Sequence, residues 1–487
     1  MKTLFALVCT VLLVSVLVTG HEFIHGPYCG APDEDGVTVC WLSDALLDSA
    51  RIEYCTEESY EAEGVFTDSI EVLLEEGEKP ATVSFELQGL EPGTRYCYRV
   101  VTTVEGVEQV SPIGSFSTEP APGTTVRFGV LSDTQLQHEG TNRLELVGDA
   151  MGQDGFDYDF ILHAGDVVES SSTYYWDHWF AAFDDMLLRA PFIPVLGNHE
   201  KNHRFYYEFF TLPPGAGKHD ERWWALHYGD VVVVGLDTNV RRADEIQEQQ
   251  VWAREHLSGP EPHKFVIFHH PVFTSDSEYG TGYFFDKIYH PIFVETQTDI
   301  VFNGHSHHYE HIERDGVVYL VVGGGGATPR RTKPDHIQGS DVSVEGRHFY
   351  VQVTTSPDGI DVNTVSAARE TLPEPIPTPG ESLDSFSLEY SGAVAVVDVP
   401  ATHEDQSEAA QEPLVEEVEA VAETSPETQP VDEAEAPVVS EADELAGADE
   451  SPEAEGEGFP PWGVALIVIG VGFVAIVGNL IWRGRKR

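Results

Sequence analysis

Asp299-Ile300-Val301-Phe302-Asn303-Gly304-His305-Ser306-His307 joins an apolar run of strand length to two imidazoles two residues apart. The glycine between them lets the chain turn and approach closely. Four other segments repeat this design: Leu131-Ser132-Asp133-Thr134-Gln135, Ala164-Gly165-Asp166, Gly197-Asn198-His199-Glu200 and Phe268-His269-His270-Pro271. Each closes an apolar run, at 126–132, 159–164, 192–196 and 264–269. A further buried-type strand is expected at 231–236, with helices at 176–188 and 244–257. Strands alternating with helices indicate an α/β fold, and ligands of open α/β sheets bind beyond the carboxyl ends of the strands. Taken singly, each segment is ambiguous. An Asp after a strand often caps a helix, and Gly-Asp is common in turns. All five at strand ends mark a metal or catalytic site. Strands at 317–322, 349–353 and 361–365, the last two joined by Ser356-Pro357-Asp358-Gly359, close a domain expected over 124–366.

Upstream, 22–119 reads as short strands with regular turn signals, the texture of an all-β sandwich. Side chains alternate across a strand. If Trp41, Ile52, Tyr54, Tyr96 and Tyr98 face inward, then Cys40, Cys55 and Cys97 face outward.

Met1-Lys2 followed by an apolar run to Val18 has the form of a signal peptide over 1–20. This predicts an exported chain, where an even set of cysteines suggests disulfides. From 370 to 458 the chain is rich in Glu, Pro, Ala and Val and is expected to be a disordered acidic linker. Residues 462–482 are almost wholly apolar and long enough to span a bilayer. A basic tail, 483–487, follows. The span could equally be a cleaved sorting signal. The implied location is the cell surface, with the bulk of the chain outside the cytoplasm.

Of 487 residues, 83 are acidic and 27 basic, for a net charge of −56. Twenty acidic residues and no Lys or Arg lie in 401–458, so the folded part is acidic too. A high-salt habitat or selection for solubility would produce this. Nucleic-acid binding is not expected without a basic footprint.

The five-segment set resembles the calcineurin-like metallophosphoesterase superfamily. Val37-Thr38-Val39-Cys40-Trp41 and Leu90 to Val100 resemble fibronectin type III strands. Together, 22–365 is similar to the purple acid phosphatase branch. The resemblance implies a four-layer α/β (α+β) sandwich behind an all-β one. It also implies two metal ions, Fe, Mn or Zn. Asp166 would bridge them. Asp133 and His307 would serve the first, and Asn198, His269 and His305 the second. His199 would stand beside them as acid or hydrogen-bond donor. Such cations clamp phosphoryl oxygens and acidify water. In the fibronectin-like arrangement, Cys55 and Cys97 would lie on neighbouring strands, and the expected pairs are Cys55–Cys97 and Cys29–Cys40, both on outer faces.

Two positions depart from the family. Gln135 stands where the superfamily has His, and Glu169 where purple acid phosphatases have Tyr. Either could supply an oxygen to the first metal, favouring Mn or Fe over Zn; both could equally stand outside the coordination sphere. Without the tyrosinate no purple colour is expected. The leading reading is phosphomonoester hydrolysis. A phosphodiesterase or nucleotide hydrolase would use the same metals. A surface adhesion protein with a degenerate domain is the reading of another class.

Overall fold

The computed structural model describes residues 23–74, 82–137, 141–278, 284–371 and 374–390. Strands between residues 23 and 117 form two antiparallel sheets. Phe23–Gly30, Val37–Ser43 and Thr82–Leu87 make one; Asp68–Val72, Ser49–Thr56, Arg95–Val104 and Val107–Val110 make the other, with Gly114–Ser117 also paired to Arg95–Val104. Trp41, Ile52, Tyr96, Tyr98 and Phe116 fill the space between them. The Tyr96 hydroxyl oxygen accepts from the Glu91 amide at 2.9 Å, tying strand to turn.

Beyond this sandwich, two larger sheets pack face to face. The six-stranded sheet runs in the order Phe192–Pro194, Phe160–His163, Val126–Leu131, Arg347–Ser356, Gly359–Arg369 and Ile376–Glu389. The eight-stranded sheet carries Val231–Gly235, His263–Phe268, Ile300–Asn303 and Val317–Val322 as parallel neighbours at its centre. Between the sheets, the Phe128 ring stacks on Phe160 and meets Phe265 edge-on at 5.1 Å. Helices Arg143–Gln153 and Thr173–Leu187 contribute to the first core, and Ala243–Leu257 and His290–Glu295 to the outer side of the second sheet. The result is the four-layer arrangement of helices, sheet, sheet and helices. Its parallel strands are continuous apolar runs because both faces are buried.

Strand Phe23–Gly30 docks the sandwich onto helix Thr173–Leu187. His25 stacks on Phe180 with centroids 4.0 Å apart, and its Nε2 lies 2.8 Å from Asp177 Oδ1. The Tyr28 hydroxyl donates to the Phe209 carbonyl. At the other side, the Tyr228 hydroxyl donates to the carbonyls of Ser117 and Thr118.

Three expectations need correction or placement. The linker expected from 370 starts later, because Ile376–Glu389 pairs antiparallel with Gly359–Arg369. Its Ser- and acid-rich outer face hides the strand in the sequence, but Phe386, Leu388 and Tyr390 alternate onto the core. The pair Cys29–Cys40 is also excluded. Cys29 is opposite Val39, and Cys40 opposite Tyr28, so the two thiols point to opposite faces. Cys29 lies in the sandwich core, and Cys40 on the outer face near Thr211. Cys55 and Cys97 are directly opposite in register, as expected, but all four thiols are free. Among the described residues no helix is long and apolar enough to cross a membrane. The expected signal peptide, most of the linker and the span at 462–482 lie outside those residues.

Candidate metal centre

The carboxyl ends of strands Val126–Leu131, Phe160–His163, Phe192–Pro194, His263–Phe268 and Ile300–Asn303 converge. Just beyond three of them a carboxylate or imidazole sits on backbone of positive φ: Asp133 at 58°, Asp166 at 56° and His305 at 66°. Non-glycine residues rarely adopt this region, and such strain concentrates at functional sites. The neighbouring glycines leave no room for a side chain. A Cβ on Gly304 would lie 2.1 Å from Ser132 Oγ and 2.5 Å from Asp133 Oδ2, and one on Gly197 2.1 Å from Asp166 Oδ1.

All seven residues singled out from the sequence meet here. Asp166, His269 and His305 are buried and bring their donor atoms within 4.8 Å of one another. Asn198 Oδ1 lies 3.1 Å from His269 Nε2 and 3.0 Å from His305 Nδ1. On the other side, His307 Nε2 is 3.3 Å from Asp133 Oδ1, and the His305 amide donates to the Asp133 carboxylate at 2.9 Å. Asp166 stands at the join: its Oδ2 is 3.0 Å from His269 Nε2, and its Oδ1 accepts from the His199 amide.

The imidazoles are oriented from behind. His269 Nδ1 is 2.9 Å from the Ala164 carbonyl and His307 Nδ1 is 2.8 Å from that of Thr328. A carbonyl can only accept, so each Nδ1 carries its proton and each Nε2 faces the centre. This is the arrangement that prepares histidine for a metal. His199 Nδ1 likewise donates to the Glu169 carbonyl at 2.7 Å, leaving Nε2 3.9 Å from Asp166 Oδ2.

The field at the site is strongly negative. Burial pushes Asp133 and Asp166 up, but the adjacent imidazoles, His307 for Asp133 and His269 for Asp166, outweigh it and hold both carboxyls below their usual range. Burial lowers His269, yet Asp166 and Asp133 raise it to about 9. His305, buried beside His269, falls to about 3. Two buried carboxylates call for cationic partners, and the donor set of carboxylates, imidazoles and an amide fits transition metals.

The fit is reinforced by orphaned atoms. Gln135 is fully buried, and neither its amide oxygen nor its amide nitrogen has a partner; Glu169 Oε2 is also buried without one. His270, next to the ligand His269, is buried with Nδ1 2.8 Å from Thr238 Oγ1. Trp223 and Trp224 are core residues on opposite sides of their sheet.

Sequence reasoning assigned no role to Glu200. Its carboxylate accepts from the amides of Gly197 at 2.7 Å, Asp166 at 3.1 Å and Val168 at 3.2 Å. It thus clamps two ligand loops together, and burial and the nearby Asp166 push it up to about 7. Glu310 does the same for the last loop, accepting from the Ser275 amide and hydroxyl, the Ser340 hydroxyl and His308. The signal available was an acid next to the ligands, in Asn198-His199-Glu200 and three residues beyond His307.

Residues 126–309 match the calcineurin-like phosphoesterase family, and residues 28–118 match the purple acid phosphatase N-terminal domain. Purple acid phosphatase 1 of Ipomoea batatas is 26% identical over 262 residues, 48% of this chain and 53% of that protein. The phosphoenolpyruvate phosphatase of Allium cepa is 23% identical over 280 residues, 52% of this chain and 56% of that protein. The chain thus spans about half the length of these curated relatives. A purple acid phosphatase from yellow lupin seeds superposes with a TM-score of 0.63 at 17% identity, covering 78% of this chain and 77% of that one. PhoD superposes with a TM-score of 0.58 at 16% identity, covering 76% and 91%. These two structures share the fold.

Proposed function

We propose that this chain, which carries a calcineurin-like phosphoesterase domain behind a purple acid phosphatase N-terminal domain, hydrolyses phosphate monoesters at a binuclear metal centre outside the cytoplasm. The observation that carries the reading is Asp166, whose Oδ2 lies 3.0 Å from His269 Nε2 in one half of a buried cluster and whose carboxyl feels the charge of Asp133 in the other. Asp133 and His307 would hold the first cation. Asn198, His269 and His305 would hold the second, with Asp166 shared between them. When bound, the metal pair supplies charge neutralisation at the phosphoryl oxygens and an acidified water.

The chain's own groups do the rest. The tautomers fixed by Ala164 and Thr328 keep the Nε2 atoms of His269 and His307 aimed inward. His199 is about one-quarter exposed, so substrate can reach it. With Nδ1 donating to the Glu169 carbonyl, a second proton on Nε2 would be positioned to pass to the leaving oxygen. Burial lowers His199, but Asp166, the Glu169 carbonyl and the Glu169 carboxylate raise it above its ordinary value. That favours the protonated, donating form. Export and tethering rest on the sequence patterns at the two ends of the chain.

The test is turnover of p-nitrophenyl phosphate and its bis-ester by the purified full chain supplied with Mn, Zn or Fe. Monoester turnover that is lost in Asp166→Asn supports the proposal. Faster bis-ester turnover moves the assignment to a phosphodiesterase. A folded chain inactive with every metal would leave the surface-binding reading in its place.

A further inference from the structure

The two halves of the centre are built from different donors, and the difference lies in residues that have no partner. Asn198, His269 and His305 contribute one amide oxygen and two imidazoles to the second half. In the first half only Asp133 and His307 touch each other, at 3.3 Å. With the shared Asp166, that makes three donors, fewer than a cation of this class takes.

Two further polar groups follow these ligands closely in the sequence. Gln135 is two residues beyond Asp133 on the same loop, is fully buried, and leaves both amide atoms unpartnered. Glu169 is three residues beyond Asp166. Its Oε1 is 3.7 Å from His199 Nδ1, and its half-buried carboxyl feels the charges of His199, Asp166 and His307 and the Gln137 side chain. Its other oxygen is buried and unpartnered. Burying such atoms without a hydrogen bond costs about 1–3 kcal/mol each, and an ion is one of the few explanations for them in a folded protein. Unpartnered atoms occur elsewhere, for example at Trp41 Nε1 and Tyr98 Oη. Those lie within the apolar sandwich core, and the one at Glu261 Oε2 belongs to a carboxyl whose Oε1 already pairs with His227 Nδ1.

Resting on the binuclear reading above, we propose that Glu169, through Oε2, and Gln135, through its amide oxygen, are ligands of the first cation. The first half is then an oxygen-rich site, with four oxygen donors and the single nitrogen of His307. It selects a hard cation, Mn2+ or iron, whereas the imidazole-rich second half accepts Zn2+ as readily. Glu169 would then act at two levels. Its carbonyl fixes the His199 tautomer, and its carboxylate fills the cation's sphere next to that imidazole.

The full chain would be stripped with a chelator, reloaded and read by spectroscopy rather than by turnover. In Mn2+ titrations followed by electron paramagnetic resonance, the wild type should take up two ions. Glu169→Ala and Gln135→Ala should each weaken one of the two by about tenfold or more and leave the other unchanged. Glu169→Tyr, reloaded with ferric iron, should gain a visible phenolate-to-iron charge-transfer band that the wild type and Glu169→Phe lack. Iron bound by Glu169→Tyr without that band, or Mn2+ affinities unchanged in both alanine variants, would overturn the proposal. A wild-type chain that binds no metal would overturn the binuclear reading and this inference with it. One that binds two ions with unchanged variants overturns this inference alone. Glu169 is partly exposed, so its variants should fold, and thermal unfolding of the stripped chains confirms it.

Discussion

His269, His305 and His307 work because of what stands behind them. Two of these imidazoles hold a proton against a backbone carbonyl; Glu310 ties the segment after His307 to Ser275 and Ser340, and Glu200 clamps the neighbouring loops of Asp166 and Asn198. Removing the Glu200 carboxylate strands three buried amides. Glu200→Ala should therefore cost about 3 kcal/mol or more in unfolding free energy and weaken metal retention by about 10–100-fold. Glu200→Gln, which keeps one acceptor oxygen, should do less. Equal unfolding midpoints for wild type and Glu200→Ala would show that the clamp carries no load. His199→Ala touches none of these supports. It should lower kcat for monoesters by about 10²–10⁴-fold with metal content unchanged, as measured by steady-state kinetics beside elemental analysis.

The ligands themselves were legible because their chemistry is specific and each follows a run that can hardly be anything but a buried strand. Glu200 was not. Two of its three partners are backbone amides of a loop 32 to 34 residues away, and no side-chain pattern announces a backbone acceptor.

Among the elements, the parallel strands at the centre of both sheets were readable to within a residue or two. Val317–Val322 and the Ser356–Gly359 turn are as the sequence suggests. Strand Ile376–Glu389 escaped because it is an edge strand, with one face in solvent and Pro, Ser and acidic residues that suit an edge. Its apolar residues, Phe386, Leu388 and Tyr390, are spaced by two but too few to stand out from an acidic tail. Asp384 gives it a polar anchor, accepting from the Tyr309 hydroxyl at 2.7 Å and lying 3.0 Å from His311 Nδ1. A chain ending at residue 370 should therefore melt at a lower temperature than one ending at 390. Within the longer chain, Phe386→Ala should cost less than the about 3–5 kcal/mol of a fully buried Phe. Identical melting of the two lengths would mean that the strand adds nothing to the fold. The cysteines missed for a related reason. Alternation correctly placed Cys40, Cys55 and Cys97 on outer faces, but the one-residue offset that turns Cys29 inward depends on register, which sequence spacing does not fix.

The molecule as a whole joins sandwich and α/β layers through buried aromatic contacts and shared backbone hydrogen bonds, such as Ser115 N–H to the Leu188 carbonyl at 2.7 Å. Calorimetry should show the two melting as one transition; two resolved transitions would contradict this coupling. Within the α/β layers, Glu370 accepts from Arg143 at 2.7 Å and lies 2.9 Å from His348 Nε2. The His348 contact, and then Arg143, against the opposing effect of burial, lower its carboxyl from the ordinary 4.5 to about 2. A depressed carboxyl stabilises the fold above its unfolded value and loses that contribution as pH falls through its folded one. Glu370→Gln should thus be less stable than wild type at neutral pH. The gap should close between the ordinary 4.5 and about 2, as followed by urea unfolding.

The central claim is a two-metal phosphoesterase centre joined through Asp166. It is tested most directly by metal titration of the stripped full chain with p-nitrophenyl phosphate hydrolysis as the readout. The account predicts negligible activity without metal, a rise to full activity only as the second equivalent binds, and none at any metal level in Asp166→Asn. Full activity at one equivalent, in the stripped chain, or in Asp166→Asn would contradict it.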